Sequence, residues 1–275
     1  MNLTQILKTG DDNLIQTHPH TDLKLKMDYK LILESEYITK RMCEIANQPL
    51  EIGFVYGGTI TTKKFDTHSQ TTLDMKEMAI PIKQKVTEVT FNFDYEVLPK
   101  LENYFRKKDM HIIGQGHSHQ NLPVFHSAAD QINYKKMSIY CGIKIDPHKQ
   151  ATQTTKQKTF SSYSTRQKKE NQVIRKIHKK ELLKPVYVFP TLIFNTKGEM
   201  TAGLAASNIK KHEILENAPI EYYNKQAVLT TEEKQQLDKK IYEVLTENNI
   251  PFSYTQERKR FMKPRFHNVR DLKSY

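Results

Sequence analysis

His117, Ser118 and His119 are followed by Ser127 and Asp130, with seven residues between His119 and Ser127 and two between Ser127 and Asp130. Two imidazoles and a carboxylate are three ligands of the kind that a catalytic zinc takes, with a fourth position left for water. Residues i and i+2 of an extended strand point the same way, so His117 and His119 can reach one ion. The step from His119 to Asp130 leaves room for a turn and the start of a helix that returns a carboxylate to it. The apolar run Met110-His111-Ile112-Ile113-Gly114 reads as the strand that delivers the histidines. Ser127 is also a candidate helix N-cap, and Asp130 a first-turn carboxylate favoured by the helix dipole. Those structural roles are compatible with the chemical ones.

The spacing resembles the signature of the JAMM (MPN-plus) metallopeptidase family, an upstream Glu followed by His-Ser/Thr-His-x7-Ser-x2-Asp. The resemblance covers roughly residues 28–207. On it, the upstream carboxylate is Glu51, in Pro49-Leu50-Glu51-Ile52-Gly53-Phe54-Val55-Tyr56-Gly57-Gly58. Phe54 stands where the family usually has Gly, and the Trp often found before the histidines is missing from a chain with no Trp. The resemblance implies an α/β fold of the cytidine-deaminase-like kind, a mixed β-sheet flanked by helices with the metal at one edge. It also implies hydrolysis of a peptide or isopeptide bond after the C-terminal glycine of ubiquitin or a ubiquitin-like protein.

A zinc held by His117, His119 and Asp130 would lower the pKa of bound water from ~15.7 to roughly 7. Glu51 suits the general base that takes the proton and later returns it to the leaving amine. Ser127 can donate to a developing oxyanion, a contact worth about 3 kcal/mol when well placed. Ser118 should face away from the metal, as support, and His126 reads as a solvated loop histidine. A zinc nucleobase deaminase needs His-x-Glu with Pro-Cys-x-x-Cys, and neither motif is present.

The elements that must position these groups follow from periodicity and capping. Residues 1–27 read as a polar leader and Tyr29–Leu33 as a strand. Ser35 would cap a helix carrying Ile38, Met42 and Ile45. Glu51 opens a strand through Ile60, residues 61–77 form a loop or long hairpin, and strand-like segments follow in 78–93. Asp94 caps a helix with Val97, Leu98, Leu101 and Phe105 on one face, and a helix runs from Ser127 to about Met137. Ile139–Ile145 reads as a strand, and Val186–Asn195 with Met200–Ala206 as a hairpin. Thr230 and Glu233 form a capping box for a helix with Leu237, Ile241, Val244 and Leu245 inward. Beyond the metallopeptidase-like domain 28–207, residues 208–275 read as a helical extension with a basic tail.

The chain has 275 residues and a net charge of +12. Residues 148–180 hold ten Lys/Arg against one Glu, and 258–270 hold six with no acid, leaving −3 for the rest. The basicity thus belongs to an insertion (148–182) that predicts a mobile loop, and to the tail. Lys168, Lys169, Arg258, Lys259 and Arg260 are candidate contacts for nucleic acid or an acidic partner. A metal-binding scaffold recruiting nucleic acid through these runs is therefore the alternative to an enzyme. Cys43 and Cys141, read as core residues, form no Cys-x-x-Cys pair and fit a reducing, cytoplasmic setting. No signal peptide is expected, and no apolar run approaches the roughly eighteen residues of a membrane span.

Overall fold

The computed structural model describes residues 21–66, 69–145, 186–207 and 212–252. In chain order these form β1 (Thr21–Asp28), α1 (Tyr29–Ala46), β2 (Gly53–Lys64), β3 (Ser69–Ala79), β4 (Gln84–Val86) and β5 (Phe91–Phe93). A 3-10 turn (Tyr95–Val97), α2 (Leu98–Arg106), β6 (His111–Ser118), α3 (Ala128–Cys141) and β7 (Ile143–Ile145) follow. The remaining elements are β8 (Val186–Phe194), β9 (Met200–Ser207), β10 (His212–Glu216), β11 (Ile220–Tyr223) and α4 (Thr231–Glu247). The main sheet has the order β10-β9-β8-β6-β2-β3-β1-β11, with β7 also paired to β8. It is mixed: β6 runs parallel to β8, and β1 parallel to both β3 and β11, while the other pairs are antiparallel.

The sheet buries both faces. Ile38 and Met42 of α1 and Ile241, Val244 and Leu245 of α4 share one core with Leu25, Met27, Leu73, Met75, Phe54 and Tyr56. Phe105 of α2 and Tyr134 and Met137 of α3 form a second core with Val55, Phe91 and Phe189. This is the mixed α/β arrangement expected, a sheet flanked by helices. The Thr230–Glu233 capping box is present at α4, and the 186–206 hairpin forms as β8 and β9. Residues 61–64 and 69–77 belong to the paired strands β2 and β3.

Several local expectations are corrected. Leu23, Leu25 and Met27 alternate inward along β1, so the end of the supposed leader is a sheet strand. Tyr29–Leu33 is the first turn of α1, not a strand. Leu31, Ile32, Ser35, Ile38, Met42 and Ile45 are buried at helical spacing, and that outweighs the β-like local composition. The N-cap is Asp28, whose Oδ1 accepts from the Lys30 amide at 2.9 Å. Ser35 lies inside the helix, its hydroxyl donating to the Leu31 carbonyl at 2.7 Å. Helix α3 continues to Cys141, so the following strand starts at Ile143. The region after 207 contributes β10, β11 and α4 to this sheet and its core, with β11 paired to β1. Cys43 and Cys141 are free and half-buried. No helix among the described residues is long and apolar enough to cross a membrane.

Two neighbouring strands fix the position of the histidines. Phe54 lies opposite Gly116 in the β2–β6 ladder. A Cβ on Gly116 would overlap the Phe54 ring and stand 2.9 Å from the Tyr56 hydroxyl. The large side chain at 54 therefore depends on the absent one at 116. The substitution Gly116→Ala is expected to cost about 1–3 kcal/mol of unfolding free energy in a urea titration. A loss under about 0.5 kcal/mol, typical of surface changes, would contradict this packing.

Candidate metal centre

His117 lies at the end of strand β6 and His119 just past it, and α3 begins beside them with Asp130 in its first turn. Asp130 Oδ1 stands 3.3 Å from His117 Nε2, and Oδ2 stands 3.6 Å from His119 Nε2. Glu51, His117 and His119 bring one ligand atom each to within 4.8 Å of one another. All four side chains are buried. Asp130 thus turns one oxygen to each histidine, while the three residues whose single ligand atoms gather closely enough for one ion are Glu51, His117 and His119. His117 Nε2 is buried without a hydrogen bond of good geometry, its near polar neighbour being Asp130 Oδ1 at 3.3 Å. The donor set fits a divalent metal such as zinc.

Each group is held by a different piece of local structure. The Ser118 side chain turns away from the histidines: its Oγ accepts the Ile52 amide at 3.0 Å and donates to the Leu50 carbonyl at 3.4 Å. Together with the Ser118 amide on the Ile52 carbonyl, this clamps both neighbours of Glu51. The Glu51 amide donates to the Thr87 carbonyl at 2.8 Å. Asp130 is fixed by a capping box, in which Oδ2 accepts the Ser127 amide at 2.8 Å while Ser127 Oγ accepts the Asp130 amide at 3.2 Å. His119 Nδ1 meets the Pro123 carbonyl at 3.0 Å, which turns Nε2 toward Asp130. The Phe91 ring packs on the His117 ring at 4.8 Å between centroids.

Burial decides the electrostatics. It raises the Glu51 carboxyl to about 7, against the opposing pull of His119. That is where a group must titrate if it is to take up and return a proton near neutral pH. Burial would raise Asp130 as well, but His117, His119 and Ser127 overcome it and hold that carboxyl well below the usual range. Burial lowers the His117 pKa. His119 is raised, because Asp130, the Pro123 carbonyl and Glu51 outweigh its desolvation. Two carboxylates in one site thus have opposite tendencies, one to stay ionised and one to exchange a proton.

The structure brings together Glu51, His117, His119 and Asp130. Ser127 is at their edge as the N-cap of α3. Lys168, Lys169, Arg258, Lys259 and Arg260 lie outside the described residues. His126, read from the sequence as a solvated loop histidine, is instead 6% exposed. Its Nδ1 lies 3.3 Å from the Tyr134 hydroxyl, which in turn lies 3.4 Å from His117 Nδ1. Tyr134 was missed although its place, four residues after Asp130 on the same helix face, was visible. Leu122 and Phe125 are exposed beside the site, with the Phe125 ring 5.3 Å from that of His119. An open cavity of about 460 Å³ lies near the other end of β6, around Tyr95, Glu102, His111 and Tyr140, away from these ligand atoms.

No family model matches the chain, and no curated protein matches it. Among solved structures, the solution structure of protein DSY2949 from Desulfitobacterium hafniense is similar at 11% identity and a TM-score of 0.38. The match covers 72% of this chain and 92% of that one, and so remote a likeness carries no functional inference.

If the cluster is a metal centre, zinc at about 100 times its dissociation constant stabilises the fold by about 2.7 kcal/mol. Calorimetry should therefore show a zinc-dependent rise in melting temperature that chelator reverses and His119→Ala abolishes. An equal zinc response in the two proteins would place the binding elsewhere.

Proposed function

We propose that the chain is a zinc-dependent metallopeptidase of the JAMM type. Its reaction would be hydrolysis of the peptide or isopeptide bond after the C-terminus of ubiquitin or a ubiquitin-like protein. The observation that carries this reading is a buried, proton-exchanging Glu51 within 4.8 Å of two histidines that also contact the ionised Asp130. A purely structural site has no use for a fourth group of that kind; structural zinc sites are closed by their ligands.

In this reading His117, His119 and Asp130 hold the ion. Zinc, when bound, supplies the Lewis acidity that makes water nucleophilic near neutral pH. Glu51 takes the proton from the attacking water and delivers it to the leaving amine. Ser127 Oγ accepts the Asp130 amide and keeps its own hydrogen to donate to the carbonyl oxygen as charge develops there. Leu122 and Phe125 offer an apolar rim to an extended peptide tail. Reduced Cys43 and Cys141 fit a cytoplasmic setting.

A cleavage panel tests this with zinc-loaded protein and fusions of ubiquitin and ubiquitin-like proteins, with and without chelator. At least one substrate should be cut, and chelator and His117→Ala should abolish the cutting. Glu51→Ala should slow it by a factor of at least about 100. Intact substrates throughout the panel, or equal rates with Glu51→Ala, would reject the proposal. Binding of nucleic acid without cleavage would favour a scaffold instead.

A further inference from the structure

We infer that Asn248, together with Gln84, is a positioning residue for the general base: their side-chain amides seat strand β4, which holds the backbone of Glu51. Glu51 is that base in the peptidase reading above, on which the role of Asn248 therefore rests. Asn248 is the C-cap of α4, in the part of the chain that the JAMM resemblance does not cover.

Residues 50–53 carry Glu51 between two sets of partners. On one side stands Ser118 of β6, which takes the Leu50 carbonyl and the Ile52 amide. On the other side, the pairing of β3 with β2 reaches only Val55 and Ala79, so the backbone before Val55 needs other partners. Strand β4 and its flank supply them. Gln84 Oε1 accepts the Gly53 amide at 2.8 Å, and Nε2 donates to the Gly53 carbonyl at 3.0 Å, as a neighbouring strand would. Nε2 also donates to the Pro81 carbonyl at 2.6 Å. Just past the strand, the Thr87 carbonyl accepts the Glu51 amide at 2.8 Å.

Among the described residues β4 pairs with β5 alone, so its outer edge needs a partner as well. Asn248 provides it. Its Oδ1 accepts the Val86 amide at 3.2 Å, while Nδ2 donates to the Gln84 carbonyl at 2.8 Å and the Val244 carbonyl at 2.9 Å. Each of the two amides thus uses both hydrogens and its oxygen, and a flipped amide would lose these bonds. The end of α4 fixes where Asn248 stands. The Asn249 amide donates to the Thr246 carbonyl and the Ile250 amide to the Leu245 carbonyl, with Asn249 at φ 54°. That is a Schellman stop, with Asn in the left-handed position. Ile250 then packs on the core that α1 and α4 share. Helix α4 is in this way joined to Glu51 through two amides and one short strand.

Hydrogen exchange reads this connection without metal or substrate. In Asn248→Ala the Glu51 and Gly53 amides should exchange about 10- to 100-fold faster, because β4 opens without its outer partner. The Met42 amide in α1 should stay within about twofold of wild type. Leu237→Ala loosens α4 against the core without touching β4, and should not single out Glu51 and Gly53. In zinc-saturated protein, on any substrate cut in the panel above, Asn248→Ala should lower kcat at least about 10-fold and leave KM within about twofold. Glu51 and Gly53 exchange within about twofold of wild type, or a rise matched at Met42, overturns the inference. So does an unchanged kcat. If no substrate is cut, the peptidase reading fails, and the exchange comparison still decides whether Asn248 holds Glu51 in place.

Discussion

Two carboxylates and two imidazoles share a space from which water is largely excluded, and an unpaired charge in such a place costs several kcal/mol. Much of the surrounding structure answers that constraint. Asp130 stays ionised because both imidazoles and the Ser127 amide surround it. Burial outweighs the pull of His119 on Glu51 and pushes it toward its neutral form. One desolvated pocket therefore pushes the protonation of two similar side chains in opposite directions.

Holding four such groups in register takes four separate anchors. The β6 strand presents the histidines, and the parallel β8 strand continues its ladder to the His119 amide, which donates to Phe194 at 2.7 Å. The capping box of α3 orients Asp130, and the Ser118 clamp orients the segment around Glu51. The loop between His119 and α3 is tied down by Asn195, which donates to the Leu122 carbonyl at 3.1 Å, and by Thr196, whose amide and hydroxyl both donate to Gln120. Local helix chemistry and site chemistry thus use the same atoms. Ser127 and Asp130 are a cap and a candidate site at once.

The parts legible in the sequence were those fixed by spacing over a few residues. The His-x-His pair, the Ser-x2-Asp cap and the β8–β9 hairpin are local patterns, and their local structure follows directly from them. Tyr29–Leu33 misled because a short apolar run fits strand and helix alike until burial partners such as Ile241 and Leu245, some 200 residues away, are known. The burial of His126 was hidden for the same reason: only the fold shows that Tyr134 and Gly203 close over it. Phe54 departs from the pattern that the sequence resembles, and Gly116 across the ladder leaves the space for its ring.

The central claim is that His117, His119 and Asp130 hold one metal ion while Glu51 stands beside it unligated. Visible absorption of the cobalt(II)-substituted protein tests this most directly, since four-coordinate cobalt gives intense ligand-field bands. The account predicts those bands in the wild-type protein and in Glu51→Ala, and their loss in His117→Ala, His119→Ala and Asp130→Ala. Bands that survive in Asp130→Ala but vanish in Glu51→Ala would contradict it, making Glu51 the ligand and leaving the site without its base.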